Sequence, residues 1–394
     1  MTQVGIDLIH FATSDYYFSL ETYAQEKGVD YNKYLVGIGQ EKMSIAPPDE
    51  DIVTLAAKAA DPILNQVDRN QISAILFATE SGVDQSKSAG AFLHGLLELP
   101  NRCRVVEFKH ACYAGAAALQ MARALVVANP KEQILVIASD IAKYDLDSSG
   151  EATQGCGAVA MLVKANPRIL ALEAGSGYYT DDVMDFWRPN YRSTALVDGK
   201  YSTKVYLNSL KHAWQHFTEE TGKQFSDIDA FCYHIPFTKM AEKAHKTLVK
   251  QAGAEVSEEA FQAQTQPGQQ YNRVVGNSYS ASVFIGFCSL LDNANTDLTG
   301  KRIGFFSYGS GCVAEFFTGI IQPGYQQHLM TKDHQAQIAQ RTPLSYAEYL
   351  NFHEQMNEGT ENVIFPKLNR GAYRLAKIDD HKRIYEHHAT ADAD

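Results

Sequence analysis

The chain reads as two copies of one strand–helix plan, and that repeat constrains its fold more than any single motif. In the first half, Ile72-Ser73-Ala74-Ile75-Leu76-Phe77-Ala78-Thr79-Glu80 is an apolar run ending in a carboxylate. In the second, Ile228-Asp229-Ala230-Phe231-Cys232-Tyr233-His234 ends in an imidazole. Val105-Val106-Glu107-Phe108 leads through Cys112 into the small residues Ala114-Gly115-Ala116-Ala117-Ala118. Arg273-Val274-Val275-Gly276-Asn277 is its counterpart, again a turn feeding a small-residue helix through Ser280-Ala281-Ser282. Residues 133–140 then parallel 301–311, and 157–163 parallel 312–317. The order strand, strand–helix, strand, strand is thus repeated. Continuous apolar strands are buried on both faces, as in layered α/β proteins. Two facing copies bring their strand ends together, and α/β sheets hold ligands beyond the carboxyl ends of strands. Glu80, Cys112, His234 and Asn277 all sit at such ends, so the repeat alone predicts that they converge.

Around this frame, 51–60 reads as an amphipathic helix after the Pro47-Pro48 stop, and 204–217 as a second helix. Residues 174–202 form a long polar, aromatic, glycine-bearing excursion, the kind that often serves function. The tail 367–394 is charged and His-bearing, and reads as a surface helix. A length of 394 residues accommodates two core-bearing units, placed at 1–165 and 166–394. The net charge of −11 argues against a nucleic-acid-binding surface, though not against a local basic patch for a phosphate-bearing ligand. The chain opens Met1-Thr2-Gln3-Val4-Gly5-Ile6-Asp7, a first strand with no signal-peptide pattern, and no apolar run reads as long enough to cross a membrane. The six cysteines form no CxxC pair and no zinc-ligand spacing. They are expected to be free thiols in a reducing cytoplasm.

Cys112 stands where a strand gives way to a helix. Unpaired backbone N–H groups and the helix dipole at such a place favour a thiolate, the reactive form. That makes Cys112 a candidate covalent nucleophile for an acyl group; a buried structural cysteine is the other reading. Glu80 can take a proton from carbon beside a carbonyl, or can cap the Ser81-Gly82 turn. His234 can orient or protonate an oxygen, or can be a satisfied core histidine. A thiol, a carbon base and an imidazole suit carbon–carbon bond formation between acyl thioesters better than peptide hydrolysis.

In order along the chain stand Gly37-Ile38-Gly39-Gln40, Thr79-Glu80-Ser81, Ala111-Cys112-Tyr113, Asp185-Phe186-Trp187-Arg188-Pro189, Val197-Asp198-Gly199-Lys200, His234-Ile235-Pro236-Phe237-Thr238-Lys239-Met240 and Ser307-Tyr308-Gly309-Ser310-Gly311. With these motifs the chain, to about residue 340, resembles the bacterial-type 3-hydroxy-3-methylglutaryl-CoA synthases of the mevalonate pathway of isoprenoid biosynthesis. The resemblance implies a thiolase-like duplicated α/β fold, layered α-β-α-β-α with two pseudo-repeated halves. It implies an acyltransferase in which acetyl-CoA acetylates Cys112 and Glu80 deprotonates the acetyl methyl. The carbanion equivalent adds to acetoacetyl-CoA oriented by His234, and water releases the product. Backbone N–H groups near Cys112 and Ser310 would stabilise an enolate or oxyanion. By the same resemblance Asp30, Tyr144, Thr153, Ser202, Lys239, Lys243, Asn277 and Ser310 bind substrate, the two lysines at CoA phosphates. It further implies a homodimer, whose chemistry needs no cofactor and no metal beyond its CoA thioester substrates. Two other readings stand beside it: a polyketide β-branching synthase taking an acceptor on an acyl carrier protein, and a non-catalytic acyl-CoA-binding protein. The chain departs from the family at Cys156, where Ala is usual, and across 190–196. A thiol near the pocket open to oxidation or modification, or a space-filling residue, are the readings of Cys156.

Overall fold

The computed structural model describes residues 2–355 and 361–388. Ten strands form one sheet. The first half supplies β1 (Val4–Thr13), β2 (Ile72–Ala78), β3 (Arg104–Phe108), β4 (Gln133–Ala142) and β5 (Gly155–Ala165). The second supplies β6 (Leu170–Leu172), β7 (Gly177–Thr180), β8 (Ala230–Tyr233), β9 (Arg302–Gly309) and β10 (Val313–Ile321). Their order is β3-β2-β4-β5-β1-β6-β10-β9-β8, with β7 also paired to β10. In the first half β2 runs parallel to β4, β4 antiparallel to β5, and β5 antiparallel to β1. The second half repeats this as β8 with β9, β9 with β10, and β10 with β6. The duplication seen in sequence therefore extends to strand order and direction. It breaks at one element. β3 pairs with β2 at the edge of the first half, but its counterpart Gln270–Val275 is helical, so the second half lacks that strand.

Six helices complete the layers: α1 (Ile52–Leu64), α2 (Ala89–Leu96), α3 (Ala114–Ala128), α4 (Gly199–Thr221), α5 (Lys239–Ala252) and α6 (Ser282–Asn293). Side chains alternate across each strand. Along β2, Ala74, Leu76 and Ala78 pack with α3 and α6, while Ile75 and Phe77 pack with α1 and α2. Along β9, Ile303 and Phe305 join the α3/α6 core, while Phe306 and Tyr308 join α4 and α5. The result is the α-β-α-β-α layering. Helix α1 starts where Asp51 accepts the Val53 and Thr54 N–H groups and Thr54 Oγ1 accepts from Asp51 N–H, a capping box worth about 1 kcal/mol.

Two expectations need correction. The stretch Ala111–Ala128 is long and apolar enough, by length and composition, to cross a membrane. In the fold its small-residue face, including Ala114, Ala118, Leu119 and Ala122, packs into the sheet core. The tail is not a surface helix over its described part. Tyr373–Asp379 and Lys382–His387 form a hairpin, extended by Val363–Ile364. Asp380 and His381 turn it with φ of 49° and 64°, the left-handed pair a tight hairpin needs. Arg383 and Tyr385 then anchor it to Asp51 at 2.8 and 2.7 Å. Residues 389–394 lie outside the described part of the chain.

Candidate active site

Glu80 follows the end of β2, and a second carboxylate fixes its backbone. Asp140, near the end of β4, accepts from Thr79 Oγ1 at 2.8 Å, Glu80 N–H at 2.8 Å and Ser81 N–H at 3.0 Å. It also accepts from Ser280 N–H at 3.0 Å, so it ties the Glu80 turn to the second half. The Arg188 guanidinium donates to the Glu80 carbonyl. Cys112 follows Ala111, held at φ 43°. Its thiol donates to Glu80 Oε1 at 3.0 Å.

Burial, reinforced by Asp140, pushes the Glu80 carboxyl up to about 8. Burial and the Glu80 carboxylate push the Cys112 thiol well above its usual value. The thiolate expected from a helix terminus is therefore overturned. Helix α3 begins only at Ala114, and desolvation beside a carboxylate outweighs the dipole of a turn Cys112 does not enter. The site holds a neutral thiol beside a carboxyl that becomes able to take its proton as pH rises toward about 8. Glu80 also has a consequence for stability. Its folded pKa lies above its ordinary 4.5, so stability is intact below about pH 4.5 and lost as pH rises through about 8. Glu80→Gln should melt about 2 °C or more above the wild type at pH 9, with no gain at pH 4.5, by calorimetry.

The second half closes over this pair. His234, just past β8, is buried, and burial lowers its imidazole to about 3, so the ring is neutral. Asn277 Oδ1 accepts the Tyr279 N–H at 2.9 Å, which leaves the amide NH2 as a donor. The β9–β10 hairpin carries Ser310 and lies directly on the Cys112 turn. A Cβ on Gly309 would stand 2.5 Å from the His110 carbonyl and 2.8 Å from Tyr113 N. Gly309→Ala should therefore push the two loops apart and lower kcat/KM by about a hundredfold in steady-state assays, with global fold retained by circular dichroism.

These groups enclose a cavity of about 130 Å3. Cys112, Tyr144, Thr153, Ser202, His234, Asn277 and Ser310 all line it. Glu80 joins through its bond to the thiol. Besides Glu80, three expected residues do not line it. Asp30 is exposed and caps its own turn by accepting from Asn32 N–H at 2.9 Å. Lys239 Nζ donates to the Val36 carbonyl at 2.9 Å, and Lys243 Nζ lies 5.1 Å from the centre of the Phe237 ring, which does line the cavity. Both lysines belong to the first turns of α5, beside the chamber. Cys156 is not at the chamber; it fills space in the outer core with Leu8, Ala12 and Ala158. The divergent loop docks through Thr194 and Arg192 onto Asp145, at 2.5 and 2.6 Å, and delivers Ala195 beside Tyr144.

Sequence reasoning missed several members. Asp140 is one, although it sits near a strand end like Glu80. Asp185 is another: buried, it accepts from Ser202 Oγ at 2.9 Å, Tyr308 OH at 2.6 Å and Gly311 N–H at 2.9 Å. Tyr279, at φ 44°, and Phe186 form an aromatic wall with Tyr144. A thiol and its carboxylate from one pseudo-repeat, aimed at an imidazole and an amide from the other, are the arrangement of thiolase-like condensing acyltransferases.

Comparison with known proteins narrows that class. Models of the hydroxymethylglutaryl-coenzyme A synthase N terminal and C terminal match residues 2–167 and residues 170–251 and 245–388. The chain therefore belongs to the hydroxymethylglutaryl-CoA synthase family. It is 42% identical to hydroxymethylglutaryl-CoA synthase of Enterococcus faecalis, over 97% of this chain and 99% of that protein. It is 34% identical to the polyketide biosynthesis 3-hydroxy-3-methylglutaryl-ACP synthase of Bacillus subtilis, over 94% of this chain and 91% of that one. A crystal structure of an HMG-CoA synthase complexed with CoA superposes with a TM-score of 0.92 at 40% identity, covering 98% of this chain and 100% of that one.

Proposed function

We propose that this enzyme condenses acetyl-CoA with acetoacetyl-CoA and water to give 3-hydroxy-3-methylglutaryl-CoA and CoA, in the mevalonate pathway. The 3.0 Å bond between the Cys112 thiol and Glu80 carries the reading. Glu80 takes the thiol proton as sulfur attacks acetyl-CoA, and the proton leaves with the CoA thiol. Glu80, again a carboxylate, removes a proton from the methyl of acetyl-Cys112. The resulting carbon nucleophile adds to the ketone of acetoacetyl-CoA, whose oxygen takes a proton to become the hydroxyl. Water then cleaves the thioester and regenerates the thiol. His234 orients the acetoacetyl thioester, and Asn277 and the N–H groups near Cys112 and Ser310 steady developing negative oxygen, about 3 kcal/mol per donor. Tyr144, Thr153 and Ser202 shape the acyl chamber. Lys239 and Lys243 meet CoA phosphates, with Asp30 on the adjoining segment. The bond from Lys239 N–H to the Ile38 carbonyl at 2.9 Å supports that neighbourhood.

The enzyme is read as a cytoplasmic homodimer, each chain built of halves 1–165 and 166–394. Its six cysteines are free, consistent with a reducing compartment. Edge strand β3 exposes Val106 at 42%, and α3 exposes Met121 at 47% and Val127 at 56%, an apolar edge suited to a second copy. The test offers the pure enzyme acetyl-CoA with acetoacetyl-CoA or with an acetoacetyl carrier protein. Efficient HMG-CoA formation supports the reading; turnover confined to the carrier-bound acceptor overturns it in favour of the β-branching role.

A further inference from the structure

His234 acts on an acyl oxygen through one of its two ring nitrogens, and which of them carries the proton decides whether it donates or accepts. Its Nδ1 lies 2.6 Å from Ser282 Oγ. The same Oγ lies 3.1 Å from the Ile235 N–H, which is a donor only. Ser282 Oγ therefore spends one lone pair on Ile235, and its single proton has one acceptor among the described residues, His234 Nδ1. Were Nδ1 protonated instead, the serine hydroxyl would be a buried donor with no partner, an arrangement that folded proteins avoid. Ser282 is 0% exposed, so bulk water does not supply that partner. Its backbone is held as well: it is the first residue of α6, and Asn272 Nδ2 donates to its carbonyl at 3.2 Å. The placement follows the duplication. The small-residue helix that begins beside the nucleophile in the first half begins, in the second, with the residue that touches the imidazole.

We propose that Ser282 is a positioning residue that locks His234 in the tautomer protonated at Nε2, making it a hydrogen-bond donor to the acetoacetyl-CoA acyl oxygen. A ring-nitrogen proton is commonly set by the bond the other nitrogen makes. The inference rests on the condensation role proposed for His234. Acetylation of Cys112 by acetyl-CoA does not need that donor and reports whether a variant is folded.

The test joins spectroscopy to partial reactions. Long-range proton–nitrogen NMR of the histidine-labelled enzyme, with His234 assigned by difference from His234→Ala, should show a neutral ring protonated at Nε2. Ser282→Ala should acetylate Cys112 within about twofold of wild type yet lose roughly tenfold to a hundredfold in kcat/KM for acetoacetyl-CoA, with the tautomer signature mixed. Ser282→Thr, which keeps the hydroxyl, should restore most of that loss. A wild-type ring protonated at Nδ1 overturns the proposal, as does unchanged condensation in Ser282→Ala. If His234→Ala itself condenses at the wild-type rate, the role of His234 fails, and the tautomer assignment is then judged by the NMR signature alone.

Discussion

Glu80→Gln should lose condensation by roughly a thousandfold while Cys112 still becomes acetylated. The amide keeps the shape and a hydrogen-bonding oxygen near the thiol, so the chamber survives. It has no basic oxygen for the weakly acidic methyl of acetyl-Cys112, and no other described carboxylate bonds to the thiol. Asp140 is the nearest alternative in charge, but one of its oxygens is already shared by the Thr79, Glu80 and Ser81 donors and the other by Ser280. Thiol acylation suffers less, because even a buried thiol is far more acidic than the acetyl methyl and the Gln oxygen still accepts its hydrogen bond. In the wild type the carboxylate is the active form, so kcat/KM for condensation should rise with pH to about 8 and level off above it. That limb should be missing from the residual activity of Glu80→Gln. Quenched-flow separation of acetyl-enzyme from HMG-CoA reads both effects.

Cys112→Ala should abolish HMG-CoA formation and acetyl-enzyme alike. Losing one buried sulfur costs about 1–2 kcal/mol of stability, too little to unfold a chain of this size. The other half of the chamber, His234, Asn277 and Ser310, is untouched. Acetoacetyl-CoA should therefore still bind within a fewfold of wild type by calorimetry. Lost binding together with lost turnover would point to a collapsed site and not to a missing nucleophile.

The fold was legible where strands are apolar throughout and repeat in order. It was misread where local composition misleads. The repeated strand–helix order fails at 270–275, where the first half has β3 but Tyr271, Asn272 and Val275 form one buried helical face beneath α6. The C-terminal hairpin hid behind its charge, although Tyr385 and Tyr373 are residues that a packed sheet uses. Glu80, Cys112 and His234 were legible because each stands at a strand or helix boundary. The state of the thiol was not, since a helix-end argument sees a dipole and cannot see burial or a carboxylate 32 residues away. Asp185 reaches its partners across 123 and 126 residues, a distance only the folded chain closes.

The central claim is that acetyl-Cys112 is the species that condenses. The direct measurement mixes the enzyme with isotope-labelled acetyl-CoA, isolates the acetyl-enzyme free of acetyl-CoA, and adds acetoacetyl-CoA in a single turnover. Peptide mass spectrometry then follows the label. It should begin on Cys112 and pass into HMG-CoA at no less than the steady-state rate. Label on another residue, or acetyl-Cys112 that decays to acetate without forming HMG-CoA, would contradict it.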